Sequence, residues 1–228
     1  MKPFLHQDEL DVSSYFANCK TVIYEPDQLI CDLDMVSESI FLVRRGVVRA
    51  SILSLQGAER LLFYGHAGCF IGDTMCFGRP GDLPHGVRAV AVTNCEIAKM
   101  SQREIRAKCV QSPDLMTALL SRAYYKISSL IEQLGYATFH DTTSQVAALV
   151  YALWIESKRM RGSGEEKYLL HMTHQMIAAT TGRTRVSVTY ALNRLQTLGA
   201  IKLHRRRVEV CDECLLARYA NEAEEAVE

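Results

Sequence analysis

The sequence predicts an α+β fold in two parts, an N-terminal β sandwich or barrel and a C-terminal helical unit with a small β wing, joined by one long helix. Three observations predict it. Short apolar stretches cut by Gly and Asp run from Lys20 to Met100, the apolar period lengthens to 3.5 after Pro113, and basic charge gathers beyond residue 143.

The chain has 228 residues, 26 Lys+Arg against 26 Asp+Glu, 48% hydrophobic and 23% charged, with 13 Gly and 5 Pro, which excludes disordered and collagen-like classes. That length suits two modest domains, each able to bury a core. No apolar run approaches the ~18 residues of a membrane span. The first residues, with Lys2, His6, Asp8, Glu9 and Asp11, hold no signal-peptide core, so a soluble, cytoplasmic protein without a membrane partner is expected. The 8 cysteines are then expected to be reduced thiols. Zero net charge conceals a split: residues 1–142 carry 14 basic and 16 acidic side chains, residues 143–218 carry 12 and 6, and 4 acids close the tail. A basic block of this kind points to a polyanion.

Strands are expected at 21–24, 39–43, 47–55, 60–64, 69–71, 87–92 and 96–100, with Gly46, Gly57, Gly65, Gly68 and Gly72 at the breaks. From Pro113, which suits a helix start, Met116, Leu120, Ala123, Ile127, Leu130, Leu134 and Ala137 follow in steps of four and three. Two uses are open to this helix. It can pack on its own β domain, which Leu115, Leu119 and Ile131 could face, or it can form a homodimer through Met116, Leu120, Ala123, Ile127, Leu130 and Leu134. The unbroken register favours the homodimer. Phe139-His140-Asp141-Thr142 interrupts the pattern, and Asp141 can cap a helix carrying Val146, Leu149, Val150, Leu153 and Trp154. The expected division is a sensing domain at 1–112, a dimerisation helix at 113–138, a hinge at 139–142 and a last domain at 143–228. Within the last, 161–165 reads as a surface loop and 168–172 as a short strand before a helix cap, Thr173.

The stretch from Thr173 to Ile201 fits helix-turn-helix spacing. Ala178 is small where two helices cross, Gly182 follows at the turn, and Val188, Leu192 and Leu195 face inward. Residues 202–210 read as a two-stranded wing with Arg205, Arg206 and Arg207 at its tip, suited to phosphates. Arg183 and Arg185 begin the second helix, where Arg can pair with guanine. Val186 and Tyr190 share that face, and Val186 could touch a thymine methyl. Thr173, Gln175, Thr184 and Ser187 suit phosphate contacts. The expected partner is double-stranded DNA.

With these residues placed, the chain resembles the CRP/FNR family of bacterial transcription regulators. SIFLVRRGVVRA, CFIGD, SPDLM, TFHDTT and the helix-turn-helix fall in that family's order over nearly the whole chain. The resemblance implies a cyclic-nucleotide-binding-like β-roll or jelly roll, a long dimerisation helix and a C-terminal winged helix-turn-helix. It further implies an effector bound between β-roll and helix that shifts a pre-existing equilibrium of the DNA-binding domains. The family's cyclic-AMP residues do not carry over. A Gly-Glu turn is Gly72-Asp73 here, an Arg-Ser pair falls on His85-Gly86, and a Thr-Ser pair falls on Leu130-Ile131, so cyclic AMP is not the expected effector.

Closer motifs, ERLLFY before FIGD and a helix lysine that ungapped counting puts at Lys126, are similar to the halorespiration regulators, which sense chlorinated phenolic acids. That resemblance implies a halogenated phenolic effector met by Phe63, Tyr64, Gly72, Asp73, Tyr124, Lys126, Ile127 and Leu130. A buried ammonium at Lys126 would select an ionised phenol, whereas Asp73 would repel a ligand carboxylate. Equally open is a surface Lys126 paired with Glu132 or a partner residue. The recognition triplet becomes Arg185-Val186…Tyr190, for which a palindromic AT-rich operator is expected, with RNA polymerase left open as a further partner.

Cys19 and Cys31 are too sparse for an iron–sulfur cluster. A haem site stays open because Cys69, Cys76 and His85 lie near the relevant region, although the family's axial pattern is not reproduced. Cys211 and Cys214 form a lone CxxC, with His204 the one obvious helper; two residues closing the wing and a thiol switch are both open readings. No resident cofactor or metal is expected. No Gly-rich phosphate loop, nucleophile elbow or HExxH is present, so no enzyme is expected. The alternatives are a haem or redox sensor on the same fold, and a ligand-binding subunit that does not bind DNA.

Overall fold

A computed structural model of the chain describes residues 4–5, 12–32, 39–77, 86–161 and 169–221. Two compact units meet inside the long central helix, at Leu130/Ile131.

The first unit is a two-sheet β-roll. One sheet has the order β1 (Phe4–Leu5), β6 (Glu59–Gly65), β5 (Val48–Leu53), β8 (Val87–Ala91), β3 (Leu29–Asp32). The other runs β2 (Lys20–Tyr24), β9 (Cys95–Ser101), β4 (Ser39–Arg45), β7 (Phe70–Ile71). All pairs are antiparallel except β1 with β6. Alternation decides what each strand buries. On β4, Phe41 and Val43 join Val48, Ala50, Phe63, Ala89 and Ile97 in the core between the sheets. Ile40 and Leu42 point the other way, into a second cluster with Phe16, Phe70 and Met100. Helix α2 (Gln102–Gln111), through Ile105, and helix α3 (Pro113–Phe139), through Leu115 and Leu119, complete this second cluster.

Strands β1 and β3, the short α1 (Asp73–Phe77) and α2 are absent from the expectations above. α2 nonetheless had a readable signal. Ser101-Gln-Arg-Glu104 has the spacing of a capping box, and the Ser101 hydroxyl accepts from the Glu104 N–H at 3.2 Å.

The second unit holds α4 (Thr142–Arg161), α5 (His174–Thr181), α6 (Arg185–Thr197), α7 (Glu213–Asn221) and a sheet ordered β10 (Leu169–His171), β12 (Arg207–Val210), β11 (Ile201–His204). Val146, Leu149, Val150, Ile177, Val188, Leu192, Leu195 and Leu216 form its core. Only His140 and Asp141 separate α3 from α4, and the Asp141 carboxylate accepts from the Ser144 N–H at 2.7 Å, capping α4. Gly182 ends α5 at φ 68°, a left-handed turn that a side chain would strain. The loop at 162–165, His85 and the acids beyond residue 221 lie outside the described residues. Among the described residues no helix is long and apolar enough to cross a membrane.

Candidate nucleic-acid interface and effector cavity

Both helices of the helix-turn-helix begin with a threonine cap. The Thr173 hydroxyl accepts from the Met176 N–H at 3.1 Å, and the Thr184 hydroxyl accepts from the Ser187 N–H at 3.1 Å and lies 2.8 Å from the Ser187 hydroxyl. His174 Nδ1 meets the Thr189 hydroxyl at 2.8 Å, tying α5 to α6; no sequence signal marked it. Thr173, Gln175, Arg185 and Arg206 line one cleft of about 400 Å³ between the helix starts and the wing. Val186 and Tyr190 stand on the outer face of α6, 64% and 74% exposed. Arg205 and Arg206 are exposed at the wing tip, where Arg206 takes a left-handed φ of 59°. His204, expected as a helper to the CxxC, instead lies 2.9 Å from the Glu209 carboxylate.

Arg183 departs from its expected place among the DNA-facing residues. Its Nε donates to the Gln145 side-chain oxygen at 3.2 Å, and one terminal nitrogen reaches the Ala137 and His140 carbonyls at 3.4 and 3.3 Å. The carbonyls at a helix C-terminus have no intrahelical partner, and a guanidinium satisfies several at once. Gln145 is fully buried and donates to the Tyr136 and His140 carbonyls, each at 2.8 Å. It was missed, although a polar residue four before the buried Leu149 on an apolar helix stripe is a signal.

The first unit contains a cavity of about 250 Å³ between its β-roll and α3. Its wall includes Ala50, Phe63, Ile71, Ala89, Ala123 and Leu130, with Cys31, Gly72, Asp73, Lys126 and Ile127. Phe63, Gly72, Asp73, Lys126, Ile127 and Leu130 are therefore brought together as expected of effector-contact residues, whereas Tyr64 and Tyr124 are not. Tyr64 follows Phe63 on β6 and alternates to the other sheet face, and Tyr124 is 66% exposed beside Tyr125. Cys31 and Leu62 went unnamed in the sequence because the bulge opposite Ala50/Ser51 and the short β3 hide their alternation.

Lys126 is neither a vacant cation nor a surface lysine. Its ammonium lies 2.6 Å from the Asp73 carboxylate, donates to the Phe70 carbonyl at 2.8 Å, and sits 5.2 Å from the Phe63 ring centre. One turn earlier Arg122, also buried, donates to the Gly68 carbonyl at 2.9 Å and sits 5.3 Å from the Phe70 ring centre. The turn at Gly72 requires glycine, since a Cβ there would come within 2.8 Å of the Ser39 carbonyl oxygen.

Helix α3 divides the expected seam. Met116 packs on the β-roll, and Ala123 and Leu130 wall the cavity, while Leu120, Ile127 and Leu134 are exposed. The outward stripe is Leu120, Tyr124, Ile127, Ile131 and Leu134, again in steps of four and three. Ile131, expected to face the β domain, is 63% exposed.

None of the 8 cysteines is in a disulfide. Burial pushes the Cys69 thiol up to about 11 and the Cys76 thiol up to about 12, so both favour the protonated form near neutral pH. Cys211 and Cys214 are exposed.

Residues 21–112 match the cyclic nucleotide-binding domain, and residues 144–219 match the Crp-like helix-turn-helix domain. The chain is a CRP/FNR family regulator. It is 24% identical over 196 residues to the cAMP-activated global transcriptional regulator CRP of Salmonella typhimurium, covering 86% of this chain and 91% of that protein. It is 27% identical over 186 residues to the nitrogen fixation regulation protein FixK of Azorhizobium caulinodans, covering 81% and 73%. The c-di-GMP responsive global regulator CLP of Xanthomonas campestris shares the fold at a TM-score of 0.75 and 17% identity, covering 87% of this chain and 97% of that one. CprK complexed with OCPA shares it at a TM-score of 0.68 and 15% identity, covering 94% and 97%. The CRP/FNR relatives are transcription regulators and not enzymes, and the chain is a DNA-binding regulator with an effector-binding domain.

Proposed function

We propose that this CRP/FNR regulator works as a homodimer on a palindromic AT-rich operator, under the control of a small, mostly apolar effector held in the cavity of the first unit. One observation carries the reading. A single helix, α3, walls that cavity with Ala123, Ile127 and Leu130 and also presents Leu120, Ile127, Ile131 and Leu134 outward. An occupant of the cavity therefore touches the same helix a second copy would grip, and its differential affinity for two arrangements of α3 is what would shift DNA binding. Burying an exposed Leu or Ile side chain contributes about 1.5–3 kcal/mol, so a stripe of four per copy is ample for pairing.

Cyclic AMP fits this cavity poorly. The turn where its phosphate would sit holds Asp73, already engaged by Lys126, and the wall around it is apolar. A halogenated phenol is of a suitable size and character, with Phe63 and Leu130 as its walls. RNA polymerase is the further partner that activation would require.

Sedimentation velocity and gel shifts test the reading together. A dimer that binds a palindrome far more tightly than an isolated half-site is expected. A monomer at every concentration, or equal affinity for half-site and palindrome, overturns it.

A further inference from the structure

We infer that the cavity selects an uncharged ligand, and that the Asp73–Lys126 pair is the device that makes it do so. This rests on the cavity being the effector site, as proposed above.

An ammonium has three N–H bonds to give and no acceptor. Around Lys126 those bonds meet two oxygens, from Asp73 at 2.6 Å and Phe70 at 2.8 Å, and the face of Phe63. The Lys126 and Asp73 side chains are only 11% and 12% exposed, so little water supplements these partners. An anionic ligand would have to displace the Asp73 carboxylate and leave it buried without its counter-charge. A cationic ligand would have to do the same to Lys126. Uncompensated charge in an apolar surround is heavily penalised, and each exchange returns at best the interaction it removes.

Arg88 also contributes to the cavity wall. It stands in register with Ser51 and Asp32, however, while Ala50, Ala89 and Cys31 alternate to the cavity side, so strand alternation directs its guanidinium away from the ligand space. The thiol of Cys31, pushed by burial up to about 11, adds a neutral group to the wall. What is left for a ligand is apolar surface, plus the carboxylate edge of Asp73 as an acceptor for a hydroxyl. Neutral aromatic or aliphatic alcohols and weakly acidic phenols satisfy that description; carboxylates, phosphates and strongly acidic phenolates do not.

Isothermal titration of the full chain with matched pairs tests this: benzyl alcohol and benzoate, 2-naphthol and 2-naphthoate, decanol and decanoate. The wild-type protein is expected to bind a neutral member about tenfold or more tighter than its anion. Asp73→Asn leaves Lys126 without its counter-charge and is expected to bring the anion's affinity up by about tenfold relative to the neutral member. Should that variant fail to fold by circular dichroism, the double replacement Asp73→Leu with Lys126→Met removes both charges. It is expected to keep the neutral ligand within about tenfold of wild type, the difference being the hydroxyl's lost acceptor at Asp73. Preference for the anion in the wild type, an unchanged preference in Asp73→Asn, loss of the neutral ligand in a folded double variant, or no binding of any neutral member overturns the inference. Oligomeric state and DNA binding measured without ligand are scored separately, so a cavity that prefers anions would leave the dimeric regulator standing.

Discussion

Arg183 and Arg185 stand two residues apart at the start of α6 and do different work. Arg185 is exposed at the cleft beside the wing, whereas Arg183 is folded back on the end of α3. Replacing Arg185 with Ala should cost about 1–3 kcal/mol at one base pair and relax the preference there. Arg206→Ala should weaken every sequence alike and lower the salt slope by about one. Binding-site selection with salt titration checks both, and uniform weakening in Arg185→Ala would count against base reading. Arg183→Ala should leave the base preference intact. It should lower the denaturant stability of the chain by about 1–3 kcal/mol, because the Ala137 and His140 carbonyls and the Gln145 oxygen lose a charged donor. A changed base preference at unchanged stability would contradict this. Spacing alone could not separate the two arginines, since both follow a glycine turn and precede an apolar helix face.

Among the elements, α3 shows how one helix serves two surfaces. Leu115, Leu119, Arg122 and Lys126 lie at i, i+4, i+7 and i+11, one stripe along the helix, and the two cations on it reach backbone carbonyls of the 68–70 segment. Cations on an otherwise apolar stripe were legible as a sequence anomaly, but their partners were not. Helices α4 and α7 are tied differently, by Glu213. Its carboxylate accepts from Lys158 and, at 3.2 Å, from the Trp154 indole N–H. The hydrogen bond from Lys158, then that from Trp154, holds the carboxyl below the usual glutamate range. A carboxyl depressed in the folded state stabilises fully above its unfolded value, about 4.3, and the contribution disappears as pH falls through the folded value. Urea unfolding across that acid window should therefore show a decline that Glu213→Gln flattens. An identical pH profile in the variant would remove the role.

At the level of the whole molecule, the outward stripe of α3 sets the expected assembly. Leu120 and Leu134 are 63% and 66% exposed and do not line the cavity. Replacing both with Asp should yield a monomer that folds, keeps its cavity ligand and loses the palindrome's advantage over a half-site. Sedimentation and gel shifts check it, and a persistent dimer would place the interface elsewhere. Negative charges in such a stripe oppose each other across a twofold axis as well as opposing burial.

The order and type of most elements, the helix-turn-helix spacing, the left-handed turn at Gly182 and the caps at Thr173 and Asp141 were determined by the sequence alone. Periodicity, capping and turn chemistry act between residues a few positions apart, and those relations are written in the chain itself. Tertiary structure alone decided which of two neighbouring seven-residue stripes on α3 faces outward, and it decided the partners of the buried cations. Lys126 meets Asp73 across 53 positions and Arg183 meets His140 across 43, and such pairings exist only once the chain has closed on itself. A buried charge takes whichever oxygen the fold delivers, because leaving it unpaired costs more than any local preference can return.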